Sequence, residues 1–196
     1  MATEQKTPRV EKLREEFDAE RDKVDYKKYV WIDEAGCNLK MARKYGWSKK
    51  GQRAHGLRPA RYCENYTMIG ALNEHGVSTL MASSSGTTGD VFLGFVNQYL
   101  LPTLRHGDIV VMDNLASHKV VGVKEAIESV GASVKYLPPY SPDMNPIENC
   151  WSKMKESIRG IGARTYEKLD AAIAEAMELV SASDVKGWAD HCGYAV

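Results

Sequence analysis

Residues 107–139 read GDIVVMDNLASHKVVGVKEAIESVGASVKYLPP and alternate between the patterns typical of strands and of helices. The apolar run at 107–113 predicts a buried strand, and 133–139 predicts a second strand that two prolines stop. Between them, 117–131 has helical periodicity and ends at Gly131, a residue suited to the left-handed position after a helix. A strand, a helix and a strand in this order are typical of an α/β domain.

The flanking segments extend this pattern. Upstream, YVWID at 29–33 predicts a short buried strand that ends on an acid. YTMIGALN at 66–73 and GVSTLMAS at 76–83 predict a hairpin around Glu74-His75. Helices are predicted at 88–104, 145–159, 165–180 and near 184–191. We therefore expect an α/β fold with a central mixed sheet and helices on both faces, although the order of elements is compatible with several such topologies.

The bulk properties describe one ordinary domain of 196 residues, 43% of them apolar. No run approaches the roughly 18 to 20 apolar residues of a membrane span, and the charged N-terminus lacks the apolar core of a signal peptide. The four cysteines are scattered, which argues against a zinc site or a disulfide framework. We expect a cytoplasmic protein with no membrane association, with a leader or docking helix in 1–27 and the main domain in 28–196.

Charge is unevenly distributed although the formal net charge is +0. Eight bases and no acid lie between Lys40 and Arg61, in a Gly-containing segment that reads as a long loop. Such a block can contact phosphates, or it can be a solvated loop, and charge alone leaves both interpretations open.

Three carboxylates occupy distinctive positions. Asp33 and Asp113 each end an apolar strand, and ligands of open α/β sheets bind at strand ends. Either aspartate could instead simply cap the following turn. Glu148 follows Asn145 and Pro146, so it could belong to a capping box at a helix start.

Capping does not explain the proline-rich segment that precedes Glu148. Four prolines lie between 138 and 146 and stiffen the path from strand to helix. Carboxylates on rigid elements suit hard divalent ions, and two such ions about 3.5 to 4 Å apart can support displacement at phosphorus. Asp33, Asp113 and Glu148 are therefore candidate metal ligands.

Four blocks of the sequence resemble the catalytic domain of the mariner superfamily of DDE transposases, especially its bacterial insertion-sequence branch. The blocks are YVWIDEAG, YGWSKKGQR, VMDNLASH and LPPYSPDMNPIENCWSKMK, spread over residues 28–160. Between Asp113 and Glu148 lie 34 residues, the separation typical of that branch.

The resemblance implies a ribonuclease H-like fold and a role for each acid. Asp33, Asp113 and Glu148 would be the catalytic triad and would bind two Mg²⁺ or Mn²⁺ ions. The enzyme would cut DNA at the ends of an insertion sequence and join them to target DNA, with TA as the expected target, by a cut-and-paste route. The expected partners are these DNAs and a second copy of the chain in a synaptic homodimer, associated with the bacterial nucleoid.

The resemblance also gives meaning to neighbouring residues. The loop after the first strand helps to clamp DNA in similar enzymes, which makes Lys49, Lys50 and Arg53 the candidate phosphate contacts. Asn114 and His118 lie beside the second aspartate and are candidates for supporting the metal site. Glu34 should point to the opposite side of its strand from Asp33 and so should not be a ligand.

Relatives of full length carry helix-turn-helix modules ahead of the catalytic domain, whereas only a short charged segment precedes the first strand here. We therefore expect a separate helix-turn-helix polypeptide to supply recognition of the ends, unless this chain is a fragment or a decayed copy. The alternatives are a ribonuclease H-like nuclease without strand transfer, a non-catalytic DNA-binding protein derived from a transposase, and a metal-independent glycosidase with paired carboxylates.

Overall fold

A computed structural model describes residues 6–57, 59–60, 63–84 and 86–196. Five strands form one mixed sheet in the order β3-β2-β1-β4-β5. Their bounds are β1 Tyr29–Cys37, β2 Tyr66–Asn73, β3 Gly76–Ser83, β4 Ile109–Met112 and β5 Ser133–Tyr136. Strands β1, β2 and β3 are antiparallel neighbours, whereas β4 runs parallel to both β1 and β5. The predicted hairpin is confirmed at the predicted residues.

Helices cover both faces of this sheet, as expected. They are α1 Pro8–Arg21, α2 Gly89–Phe95, α3 Val123–Ser129, α4 Pro146–Ile161, α5 Tyr166–Glu178 and α6 Ala182–His191. Helix α2 continues as a π-helical turn and then a 3-10 turn to Thr103, and its N-cap is Thr88. Within the described residues, none of the helices is long and apolar enough to cross a lipid bilayer.

Alternation along β1 creates two hydrophobic layers. Tyr29 and Trp31 pack into the core beneath α4, α5 and α6, whereas Val30 and Ile32 pack into the core beneath α2 and α3. The same alternation puts Asp33 on the α4 side and Glu34 on the α2 side. This two-sided mixed sheet is a ribonuclease H-like fold.

The prediction that β1 ends at Asp33 is wrong, since the strand continues to Cys37. Residues 31–37 pair with β2, and that antiparallel ladder extends the strand. The parallel pairing with β4 nevertheless covers only Tyr29 to Trp31, opposite residues 109–111. Extending that register by two residues brings Asp33 level with Asp113. Both aspartates therefore lie just beyond the parallel part of the sheet, at one edge.

The predicted helix at 117–131 is in fact two short pieces. A 3-10 turn covers Ala116–Lys119, and α3 starts only at Val123. Gly122 separates them with a φ of +98°, a conformation that ends helical geometry and is accessible to glycine. The break leaves the buried His118 in a short turn, where its ring packs against Phe92 of α2.

Helix α1 packs against the core although it contains few apolar residues. Phe17 and Val10 are buried, and Phe17 belongs to the core on the α4 side. The Arg21 side chain is also buried and donates to the Cys192 carbonyl at 2.9 Å. The N-terminal helix is thus fixed to the domain by apolar and polar contacts together.

Candidate active site

One cavity brings the three predicted carboxylates together. It has a volume of about 510 Å³, and Asp33, Asp113 and Glu148 are among the residues that line it. Asp33 comes from the middle of β1, Asp113 directly follows β4, and Glu148 lies in the first turn of α4. The remaining wall is mostly the proline-rich segment 137–142. Three separate elements of the fold therefore present acids to one space.

Asp33 is held by the helix that carries Glu148. Trp151 Nε1 donates a hydrogen bond to Asp33 Oδ2 at 3.1 Å. Burial, with a smaller contribution from the nearby charge of Glu148, raises the pKa of Asp33 to about 7. A carboxylate that is buried beside other carboxylates is stabilised by a bound cation.

Asp113 is held by a buried histidine. His118 Nδ1 lies 2.7 Å from Asp113 Oδ1, an ion-pair distance. The Leu115 N–H donates to the same oxygen at 2.9 Å. Burial alone would raise the pKa of Asp113, but these two neighbours hold it below its usual value. This carboxylate is therefore ionised and fixed in direction.

Glu34 completes a chain of charges behind Asp113. His118 Nε2 lies 3.1 and 3.2 Å from the two Glu34 carboxylate oxygens. Burial lowers the pKa of His118, but Asp113 and Glu34 outweigh that effect and raise it to about 9. Glu34 does point away from Asp33, as predicted, yet it acts on the site through His118. No pattern in the sequence indicated this contact.

Glu148 faces the cavity and takes no part in a capping box. The Asn145 side chain makes no capping hydrogen bond, and its Oδ1 is buried without a partner among the described residues. Burial raises the pKa of Glu148, Lys155 on the same helix opposes the rise, and Asp113 adds to it. The capping interpretation of Glu148 is therefore not supported.

Two further side chains position the walls of the cavity. The amide nitrogen of Asn114 donates to the Leu137 carbonyl, which ties the end of β4 to the chain that leaves β5. Arg14 of α1 donates to Ser141 Oγ at 2.7 Å and to both Asp143 oxygens at 3.1 and 2.6 Å. Arg14 thus fixes the approach to α4 from 127 residues away in the chain, a contact that no sequence pattern indicated.

The chemistry of these donors fits a hard divalent cation. Among the described residues, no group of three His, Cys, Asp or Glu side chains is arranged to hold a metal ion on its own. An ion such as Mg²⁺ does not need such a cage, because it binds one or two carboxylates and completes its shell with waters and substrate phosphates. Carboxylates around an open cavity suit that mode of binding.

The candidate DNA contacts lie elsewhere. Lys49, Lys50 and Arg53 are exposed in the irregular loop after β1, and none of them lines the carboxylate cavity. Trp47 in the same loop is also fully exposed, so it does not anchor the loop by packing. Arg58 and Arg61 of the basic block fall outside the described residues.

A family model for the DDE superfamily endonuclease matches residues 28–170, which hold all three carboxylates. The chain belongs to the DDE superfamily of endonucleases. No curated protein matches its sequence. The family assignment covers β1 to β5, all of α4 and the first turn of α5.

Solved structures of Mos1 transposase share the fold of this DDE domain. The Mos1 paired-end complex with the left transposon end aligns with a TM-score of 0.80 at 17% identity and covers 98% of this chain. The catalytic domain of Mos1 with raltegravir and Mg aligns with a TM-score of 0.72 at 14% identity. This chain spans 60% of the Mos1 chain in the first structure and 96% of the isolated catalytic domain in the second. The likeness therefore concerns the catalytic part of that transposase.

Proposed function

We propose that this chain is the catalytic domain of a DDE transposase from a bacterial insertion sequence of the mariner superfamily. It cleaves DNA at the ends of the element and joins the freed 3′-hydroxyl to target DNA. The observation that carries the proposal is the convergence of Asp33, Asp113 and Glu148 on one cavity from three elements of the fold. Family membership and the likeness to the Mos1 catalytic domain support it.

In this proposal the three acids are the ligands of two Mg²⁺ or Mn²⁺ ions. When bound, these ions activate the attacking oxygen and neutralise charge at the phosphorus. The protein's own contribution is to hold the carboxylates. Trp151 orients Asp33, and His118 with Glu34 behind it orients Asp113.

The proposal extends to partners and organisation. Structures of Mos1 in complex with a transposon end support DNA as the substrate here. Two copies of the chain would hold the two ends of the element, and TA would be the target sequence. A separate helix-turn-helix chain would recognise the ends, and the complex would associate with the nucleoid. Residues 1–27 would dock on the catalytic domain 28–196 through contacts such as those of Arg14.

A joining assay tests this function. The chain is incubated with Mn²⁺ or Mg²⁺, a supercoiled plasmid and a labelled duplex that carries a free 3′-hydroxyl. We expect covalent transfer of the label into the plasmid, and EDTA should abolish it. Metal-dependent nicking without transfer would indicate a nuclease instead, and the absence of both reactions would count against an enzyme.

His118 provides a test of how the site is positioned. We expect His118→Ala to weaken Mn²⁺ binding and DNA joining about 10- to 100-fold, the usual effect of losing a residue that orients a metal ligand. Titration with Mn²⁺ reports the metal affinity, and circular dichroism shows whether the variant is folded. His75→Ala is the matched control, because His75 is 65% exposed and lies outside the cavity. A folded His118→Ala protein with normal Mn²⁺ affinity would show that this histidine does not position Asp113.

A further inference from the structure

A second cavity lies between the base of the loop after β1 and the C-terminal half of α4. Its volume is about 870 Å³. Its lining includes six basic side chains: Lys40, Arg43, Lys44, Lys155, Arg159 and Arg164. No aspartate or glutamate is among the described residues that line it. We call this cavity the basic groove.

Arg164 gives the basic groove a fixed shape. Its Nη1 donates to the carbonyls of Leu39 and Met41 at 3.2 and 3.1 Å. Arg43 lies over α4 at Gly160, because a Cβ added to Gly160 would lie 3.5 Å from Arg43 Nη2. The loop is therefore fastened to α4 at its base, although its tip is exposed.

Most of the basic side chains in the groove form no ion pair with a described carboxylate. Within the part of the chain that is described, no carboxylate forms an ion pair with Lys40, Lys44 or Lys155, and the same holds for Arg43. Among the described residues, Arg159 forms an ion pair with Glu156 at 3.5 Å, and that glutamate is 70% exposed. A pair this exposed contributes little, so Arg159 can also turn to an anion. Several cations without internal partners in one concave surface suit a polyanion.

Helix α4 links the basic groove to the carboxylate cavity. Glu148, Ser152, Lys155 and Arg159 follow one another at intervals of four, three and four, so they share one face of the helix. Eleven residues of helix span about 16 Å, which equals about five base pairs of duplex DNA. A duplex placed along this face would meet the acids at one end and the bases at the other.

We propose that the basic groove binds the phosphate backbone of the duplex DNA that continues from the strand held at the carboxylates, about five base pairs away. This inference rests on the proposed function and adds a second phosphate-binding surface to it. Lys44 and Lys155 contact the phosphates, and Arg164 keeps the loop in place.

The test is DNA binding without catalysis. The affinity for a duplex of about 30 base pairs is measured by fluorescence anisotropy in EDTA at several salt concentrations. We expect Lys44→Ala/Lys155→Ala to bind about tenfold more weakly than the wild type, and the slope of log K against log salt should become shallower by about two, since each phosphate contact contributes about 0.9. Lys44→Arg/Lys155→Arg should bind normally. Lys124→Ala/Lys186→Ala is the matched control, because both lysines lie outside the groove.

The outcomes separate this inference from the proposed function. Unchanged affinity and slope in the groove variant would overturn the groove even if the wild type joins DNA. If the groove variant binds duplex DNA more weakly but the wild type joins no DNA, the groove is a DNA-binding surface and the transposase activity is rejected. A wild type that binds no duplex would overturn the groove as well. If circular dichroism shows that the double variant is unfolded, Lys44→Glu in the exposed loop takes its place and should show the same weakening.

Discussion

Replacing Asp113 with asparagine should abolish metal-dependent DNA cleavage and joining while leaving the domain folded. The change removes one negative charge, that of a proposed metal ligand, from the cavity that Asp33 and Glu148 share. Loss of such a ligand removes several kcal/mol of transition-state stabilisation, which corresponds to a rate reduced about a thousandfold. The amide has nearly the shape of the acid, so the contact with the Leu115 N–H can persist.

The joining assay measures this effect, and circular dichroism confirms the fold. Asp190→Asn on the exposed face of α6 is the matched control and should keep full activity. If Asp113→Asn retained metal-dependent joining, Asp113 would not be part of the reacting centre. An unfolded Asp113→Asn protein would instead make Asp113 a structural residue.

Trp151→Ala should cause the largest loss of stability among single changes near the site. Trp151 is 2% exposed. A Cβ added to Gly70 would lie only 2.7 Å from Trp151 Cη2, so α4 packs tightly on β2 through this contact. Truncating a buried tryptophan costs about 3 to 5 kcal/mol. For a domain of this size the melting temperature should fall by about 10 °C.

Thermal unfolding followed by circular dichroism measures the loss. Trp47→Ala is the matched control, because that indole is fully exposed and its removal should leave stability nearly unchanged. Trp151→Phe keeps much of the packing and removes the hydrogen bond to Asp33, so it should lose less stability than Trp151→Ala. Equal melting temperatures for Trp151→Ala and Trp47→Ala would contradict this account of the α4 contact.

Patterns that are local in the sequence predicted the fold well. The hairpin of β2 and β3 was located to the residue because each strand alternates or is continuously apolar around a two-residue polar turn. The helix predicted at 145–159 corresponds to α4, whose buried residues Ile147, Trp151, Met154 and Ile158 recur at helical spacing. Local periodicity reports which face of an element is buried, and burial dominates the energetics of both elements.

Two features of the fold were not predicted. The extension of β1 past Asp33 requires β2 as a partner, and the break before α3 depends on the positive φ of Gly122. Neither is visible in the periodicity of the segment itself. Propensity and spacing describe a segment alone, whereas pairing and close packing are set by the rest of the chain.

The candidate site also combines residues that the sequence singled out with a contact that it did not indicate. The sequence singled out Asp33, Asp113 and Glu148, and the structure places all three around one cavity, although their role as metal ligands stays a prediction. The contact of Glu34 with His118 joins residues 84 positions apart and was not foreseen. Such contacts become visible only once the sheet register brings β1 and the end of β4 together.

The central claim is that the three carboxylates hold divalent metal, and a crystal soaked in Mn²⁺ tests it most directly. Anomalous scattering locates the ion without knowledge of the DNA sequence. We predict a peak inside the carboxylate cavity, within bonding distance of Asp113 and of at least one of Asp33 and Glu148. Adding a short duplex with its phosphates should strengthen the peak, because substrate oxygens complete such shells. A Mn²⁺ peak elsewhere, with none in this cavity even when DNA is bound, would contradict the claim.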